Sequence, residues 1–193
     1  HTGVEVTMAF KPAVANHGYA FQRTDLEGSP IIEALANNVA DTKRGTSLQK
    51  NGVTIHTCEH VLAAFVGSEV DNVLIELNAS ETPIMDGSSK FFVEAIEKVG
   101  IKTLDAERAE YIVKENITYS DEESGSEITL LPAEDYEVTT MVDFGTKVLG
   151  TQNATLKKLS QFKKEFADAR TFSFLHEIET LLENGLILSL IHI

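Results

Sequence analysis

The chain has 193 residues, 42% of them apolar, enough for one large hydrophobic core or two small ones. Its 16 basic and 30 acidic residues leave a formal charge of −14, which argues against a nucleic-acid partner, since phosphate backbones demand a basic surface. No apolar run approaches the roughly 18 residues of a membrane span. The single cysteine cannot form an internal disulfide, so the composition predicts a soluble cytoplasmic protein.

Val4, Val6, Met8 and Phe10 alternate with Glu5, Thr7, Ala9 and Lys11, the period of a half-buried strand. Residues 19–24 read as its partner across the Asn16-His17-Gly18 turn. Val53-Thr54-Ile55 is β-branched and follows Asn51-Gly52, which predicts a turn and a short strand. A helix is expected from about Thr57, a good N-cap type, through Val61-Leu62-Ala63-Ala64-Phe65. Val73-Leu74-Ile75 is continuously apolar, as in a strand covered on both faces. Phe91, Phe92, Ala95, Ile96 and Val99 predict a helix that starts after Asp86-Gly87-Ser88-Ser89 and closes at Gly100.

Polar residues 102–108 read as a linker. Strands are expected at 109–113, 117–120 and 127–131, and Tyr136, Val138, Thr140, Val142 and Phe144 continue the alternation. Helices are expected at 161–167 and 175–184, the second stopped by Gly185. Strands followed by helices, twice over, predict an α+β class with domains at 1–104 and 105–193.

Thr57-Cys58-Glu59-His60 places a carboxylate beside an imidazole where strand gives way to helix. A metal hydrolase needs a neutral imidazole to hold the ion and a nearby carboxylate to take a proton from water. Cys58, Val61, Leu62 and Phe65 form one apolar stripe at helical spacing, which makes Cys58 a packing residue. His60 points away from that stripe, beside Ala63, Ala64 and Gly67, where an ion has room; the plainer reading is a satisfied core or surface histidine. His56-Thr57-Cys58-Glu59-His60 also spells the His-x-x-Glu-His pattern of inverted zinc peptidases. That pattern works only if both histidines share a helical turn, and a cap at Thr57 leaves His56 outside the helix.

Further segments follow: Asp71-Asn72-Val73, then Glu81-Thr82-Pro83-Ile84-Met85-Asp86-Gly87-Ser88, then Ala169-Arg170-Thr171-Phe172. With His1-Thr2-Gly3 and the Asp41-Thr42 and Gly45-Thr46 turn, their order closely resembles the UDP-3-O-acyl-N-acetylglucosamine deacetylases, zinc amidases of bacterial lipid A synthesis. The resemblance runs from His1 to about Leu186. It implies two domains of similar topology, each a sheet with layered helices, the helices sandwiched between the sheets and the site at their junction. It implies Zn2+ as cofactor, a UDP-linked acylated amino sugar as substrate, a cytoplasmic location and a monomeric full-length enzyme.

The resemblance implies that His60 is a zinc ligand, Glu59 the general base, and Thr171 a donor to the oxyanion; on residue type alone Thr171 could equally be a helix cap. It puts Phe172 and Phe174 near the sugar and acyl chain, positions that otherwise read as core. Asp86 reads as a turn and cap residue although it lies in a family motif. The family's other ligands come from a His-x-x-x-Asp, which nothing after Thr171 matches: His176 is followed four positions later by Thr180. The expectation is therefore a chain truncated at both ends, its second domain incomplete, with 188–193 departing from the family pattern as a non-native tail. Two other outcomes stand beside it: a non-catalytic folded fragment, and the zinc peptidase.

Overall fold

The computed structural model describes residues 4–43, 45–174 and 178, and it is a mixed α+β fold. In chain order it contains β1 (Met8–Pro12), β2 (Tyr19–Arg23), β3 (Ile31–Glu33), β4 (Val39–Asp41), β5 (Ser47–Lys50), β6 (Val53–Ile55) and α1 (Glu59–Gly67). There follow β7 (Val73–Leu77), α2 (Lys90–Val99), β8 (Ile117–Asp121), β9 (Ser126–Leu130), β10 (Val138–Asp143), β11 (Thr151–Leu156) and α3 (Phe162–Glu165).

A four-stranded sheet in the order β1-β7-β2-β3 carries the core. β1 and β2 are not partners, contrary to the hairpin expected across residues 16–18. β7 lies between them, antiparallel to β1 and parallel to β2. The turn supplies the reason: the Gly18 carbonyl accepts the Val73 N–H at 3.0 Å, and the Gly18 N–H donates to Asn72 Oδ1 at 3.0 Å. Those bonds commit the start of β2 to β7. Pairing of the first strand begins near Thr7, whose N–H donates to Asn78 Oδ1 and whose carbonyl accepts the Asn78 N–H, so the ladder stops where β7 ends, short of Val4.

β7 presents Val73, Ile75 and Leu77 to the core, while Leu74 and Glu76 are only half-buried on its other face. It is thus covered fully on one face, not two. The core packs this sheet against α1 and α2, with Phe21, Ile55, Phe65, Ile75, Leu77 and Phe92 all at 2% exposure or less. Phe65 meets Phe10 edge-on at 4.8 Å between ring centroids, a favoured aromatic geometry. α2 has the expected bounds: Gly100 takes φ +77°, and its N–H caps the Ile96 carbonyl. Phe92, Val93 and Ile96 form its inner face, whereas Phe91 and Val99 face solvent.

A second sheet, β4-β5-β6, joins the first through Arg23. This nearly buried guanidinium donates to the Thr54 carbonyl of β6 at 3.1 Å and grips Asp25 with two further bonds at 2.9 and 2.7 Å. The Arg23 hydrogen bonds hold the Asp25 carboxyl below its usual range.

β8–β9 and β10–β11 are antiparallel hairpins, each pairing within itself among the described residues. The strand expected at 109–113 does not form: Tyr111 and Ile112 are exposed coil, because no neighbouring ladder is available to them among the described residues. β11, whose Thr151-Gln152-Asn153-Ala154-Thr155-Leu156 lacks the apolar alternation that marks a strand in sequence, pairs with β10. The helix expected at 161–167 is shorter, a 3-10 turn at Leu159–Gln161 running into α3. Of the helix expected at 175–184, Ile178 is described, helical and buried. The rest of that segment and residues 188–193 lie outside the described residues.

Between α1 and the β10–β11 hairpin lies an apolar cleft of about 380 Å³, walled by Ala63, Val66 and Gly67 on one side and Val138 and Leu156 on the other. Phe162 reaches in from α3 so closely that a methyl on Gly67 would overlap its ring. Gly67→Ala is expected to destabilise the fold by about 1–3 kcal/mol, the usual cost of overpacking, read from urea denaturation at constant m. The Arg23–Asp25 pair adds stability above about pH 4, the ordinary range of an unfolded Asp, and loses it as the pH falls toward the lowered folded value. Asp25→Asn should therefore lower stability at neutral pH and flatten the acid limb of a stability–pH curve; an unchanged limb would count against the pair.

Candidate functional site

The site is built around the N-terminus of α1. Cys58, not Thr57, is the cap residue; Thr57 sits one step outside with φ +58°, in the left-handed region. Cys58, Val61, Ala64 and Phe65 are the stripe buried against the sheet, so Ala64 belongs to the core face and not to the His60 side. Burial of Cys58, and secondarily the Glu59 charge, pushes its thiol up to about 12, which suits packing and not nucleophilic chemistry.

With the stripe seated, Glu59 and His60 emerge at the helix start. His60 Nε2 lies 3.7 Å from Glu59 Oε1, the imidazole mostly buried and the carboxylate about one-third exposed. The second Glu59 oxygen accepts the Thr46 N–H at 2.8 Å. Gly45 passes so near that an added Cβ would come within 2.9 Å of Glu59 Oε1. The Gly45-Thr46 turn therefore cradles the carboxylate through backbone alone.

His56 lies before α1. Its backbone bridges Glu81, its N–H donates to the Ser80 carbonyl at 2.7 Å, and its ring Nδ1 is 2.9 Å from Ser47 Oγ. The two histidines do not share a helical turn, and the geometry that an inverted zinc peptidase needs is absent.

Two further segments arrive at the same helix end. Ser89 Oγ donates to the His60 carbonyl at 2.9 Å, and the Ser89 N–H donates to the Ala167 carbonyl at 3.1 Å. The Thr171 N–H donates to the Gly87 carbonyl at 2.7 Å, and its methyl lies against Gly87, which takes φ +83°. Asp86 accepts both the Ser88 N–H and the Ser88 hydroxyl, bonds that hold its carboxyl low, and Arg170 Nε stands 3.6 Å away. Asp86 is thus the turn-forming residue that its position suggested. Thr171 itself is exposed.

Phe172 and Phe174 pack edge-on against each other and against Phe144, with centroids 5.1 to 6.5 Å apart. Phe172 remains 62% exposed. Phe144, Ser89 and the Glu81-Thr82 contacts to Thr57 were not singled out in the sequence; only the motif containing Glu81 hinted at them.

Among the described residues no three His, Cys, Asp or Glu side chains converge on a metal position. The Glu59–His60 pair has the donor chemistry of one part of a zinc site, and the described residues do not complete one.

A carboxylate–imidazole pair thus stands at a helix start on an α+β scaffold, with the 86–89 and 167–171 segments bonded to each other beside it. Residues 1–190 match the profile of the family described as LpxC: UDP-3-O-acyl N-acetylglycosamine deacetylase, and the chain belongs to that family. It is 46% identical over 187 residues to the bifunctional enzyme LpxC/FabZ of Bacteroides thetaiotaomicron, and 44% identical to that of Porphyromonas gingivalis, covering 97% of this chain and 41% and 40% of those proteins. It is 39% identical over 189 residues to the UDP-3-O-acyl-N-acetylglucosamine deacetylase of Geotalea uraniireducens, covering 97% of this chain and 61% of that protein. The chain thus spans between two-fifths and about three-fifths of the length of these relatives.

Ser89→Ala removes the hydroxyl that ties α1 to the 86–89 loop. It should cost about 1 kcal/mol of stability and speed amide exchange at Thr171, whose N–H partner Gly87 is in that loop. Unchanged exchange would separate the two contacts.

Proposed function

We propose that the protein containing this chain hydrolyses the N-acetyl amide of a UDP-linked 3-O-acylated glucosamine, the committed step of lipid A biosynthesis, in the cytoplasm and as a monomer. The observation that carries this reading is the convergence of the Glu59–His60, 86–89 and 167–171 segments through the two Ser89 bonds and the Thr171–Gly87 bond. The family membership and the relatives' names support it.

In this reading the chain divides into domains 1–104 and 105–193, with the site where they meet. Glu59 takes the proton of the attacking water as general base, and the leaving amine takes its proton from the family's general-acid histidine, which is proposed to lie beyond the described residues. Its carboxylate is pre-aimed by the Thr46 N–H, so less reorganisation is needed when the proton moves. The Thr171 hydroxyl donates to the oxyanion of the tetrahedral intermediate. Its backbone bond to Gly87 fixes the height at which that hydroxyl sits above the loop. Phe172 and Phe174 flank the sugar and acyl chain and keep water from the amide.

Zn2+ is the proposed cofactor, with His60 as one ligand and the others from the part of the family's length beyond the described residues. When bound, it would polarise the amide carbonyl and lower the pKa of water. His60 would supply one of the three ligands that a catalytic zinc site takes, and no three such side chains converge among the described residues, so the 193-residue chain alone is proposed to be inactive. The same observation supports a second reading, a folded non-catalytic piece, which zinc stoichiometry separates from the first.

In a protein spanning the full length of the relatives, Glu59→Gln should lower kcat by 10²- to 10⁴-fold with KM little changed. Thr171→Val should lower kcat by about 10²-fold, and His60→Ala should lose bound zinc with activity. Steady-state assay with the acylated UDP-sugar and metal analysis read these outcomes. Undiminished turnover in Glu59→Gln would overturn the assignment.

A further inference from the structure

Thr57 is β-branched and holds φ +58°, an outlier for such a residue that persists only where its surroundings over-determine it. Glu81 and Thr82 supply that determination. Thr57 Oγ1 donates to Glu81 Oε1 at 2.9 Å, and Thr82 Oγ1 donates to the Thr57 carbonyl at 2.5 Å. The Thr82 N–H donates to the His56 carbonyl at 3.1 Å, so the peptides on both sides of Thr57 are gripped. Both residues are buried, Glu81 at 6% exposure and Thr82 at 2%.

We infer that Glu81 and Thr82 form a clamp that locks the left-handed turn at Thr57 and thereby aims the Glu59–His60 pair; both are positioning residues. The inference rests on the reading of that pair as the reacting groups. The geometry carries it in three steps. Thr57 is two residues from Glu59, so a flip of its φ toward the extended region redirects every atom from Cys58 onward. Cys58 cannot follow such a flip without leaving the core, where it is fully buried and its N–H donates to the Thr46 carbonyl at 3.2 Å. Thr46 in turn holds the Glu59 carboxylate, so the Thr57 turn sets the distance between base and cradle.

The clamp also begins the loop whose other end, Ser89, holds the His60 carbonyl. Residues 57–60 are consequently pinned at both ends by one segment, 81–89. A buried carboxylate is a costly way to hold a turn that glycine would adopt freely. What the hydroxyl–carboxylate pair adds is rigidity: glycine at 57 would permit the turn without enforcing it.

The test uses the zinc-loaded protein at the full length of its relatives, with Glu81→Ala, Glu81→Gln, Thr57→Val and the double variant Glu81→Ala/Thr57→Gly. Glu81→Ala should lower kcat at least tenfold, with KM within twofold, and speed amide exchange at Cys58 about tenfold. Glu81→Gln, which keeps an acceptor oxygen, should retain most of kcat. The double variant should recover part of the lost kcat, because glycine relieves the turn. If Glu81→Ala does not fold, Thr57→Val breaks the same bond and should show the same losses. Folded Glu81→Ala or Thr57→Val with wild-type kcat and Cys58 exchange, differing only in Tm, would overturn the clamp. Undiminished turnover in Glu59→Gln would instead overturn the deacetylase reading, and Cys58 exchange would still decide whether the clamp holds the turn.

Discussion

Burial of one stripe of α1 is the constraint on which the rest of the structure depends. Cys58, Val61, Ala64 and Phe65 are each at 2% exposure or less, and a helix advances about 100° per residue. Rotating α1 by a single residue would expose that stripe and drive Glu59 toward the sheet, a cost no local bond could offset. The direction of Glu59 and His60 is therefore decided by residues that take no part in chemistry. The Gly45-Thr46 turn, the Thr57 turn and the Ser89 contact refine an orientation that hydrophobic packing has already imposed.

Tension between local preference and chemistry is clearest where β6 gives way to α1. Met85 also takes a left-handed φ, +53°, in the neighbouring loop, but the step into α1 must in addition turn sharply and present two polar residues at once. A glycine-rich turn would do this without strain. The chain instead uses a threonine whose hydroxyl and carbonyl are both committed to a neighbouring loop. Strain held by hydrogen bonds inside a buried pocket is the arrangement expected where geometry matters more than economy.

The parts legible in the sequence were those set by local periodicity. α2 and its Gly100 stop follow from the spacing of Phe91, Phe92, Ala95, Ile96 and Val99, of which Phe92 and Ile96 face the core, and the strand-to-helix step at residue 57 follows from β-branching and apolar pattern. What depended on distant partners was not legible. Tyr19 and Phe10 look like two sides of a hairpin, yet β7 enters between them, because sheet neighbours are chosen by crossovers that no short window reveals. The stretch 109–113 has strand-like residues and no ladder among the described residues, while β11 has polar ones and a ladder. At the candidate site, residue type and family motif put Glu59, His60 and Thr171 forward as candidates. Ser89 and Glu81 could not be assigned their contacts, since a serine or a glutamate in a loop carries no sign of which carbonyl or hydroxyl it will meet.

The order β1-β7-β2-β3 has a bearing on how the chain is made. During synthesis β1 leaves the ribosome before β2 and β7, yet its register partner for Met8 is Leu77, and β2 likewise waits for Val73. Until that length has emerged, only the β2–β3 ladder of this sheet can pair. Sheets closed by such non-local pairing fold slowly, with their edges open in the meantime. The β1 edge and the edge of β2 away from β3 thus stay unpaired until β7 slots between them.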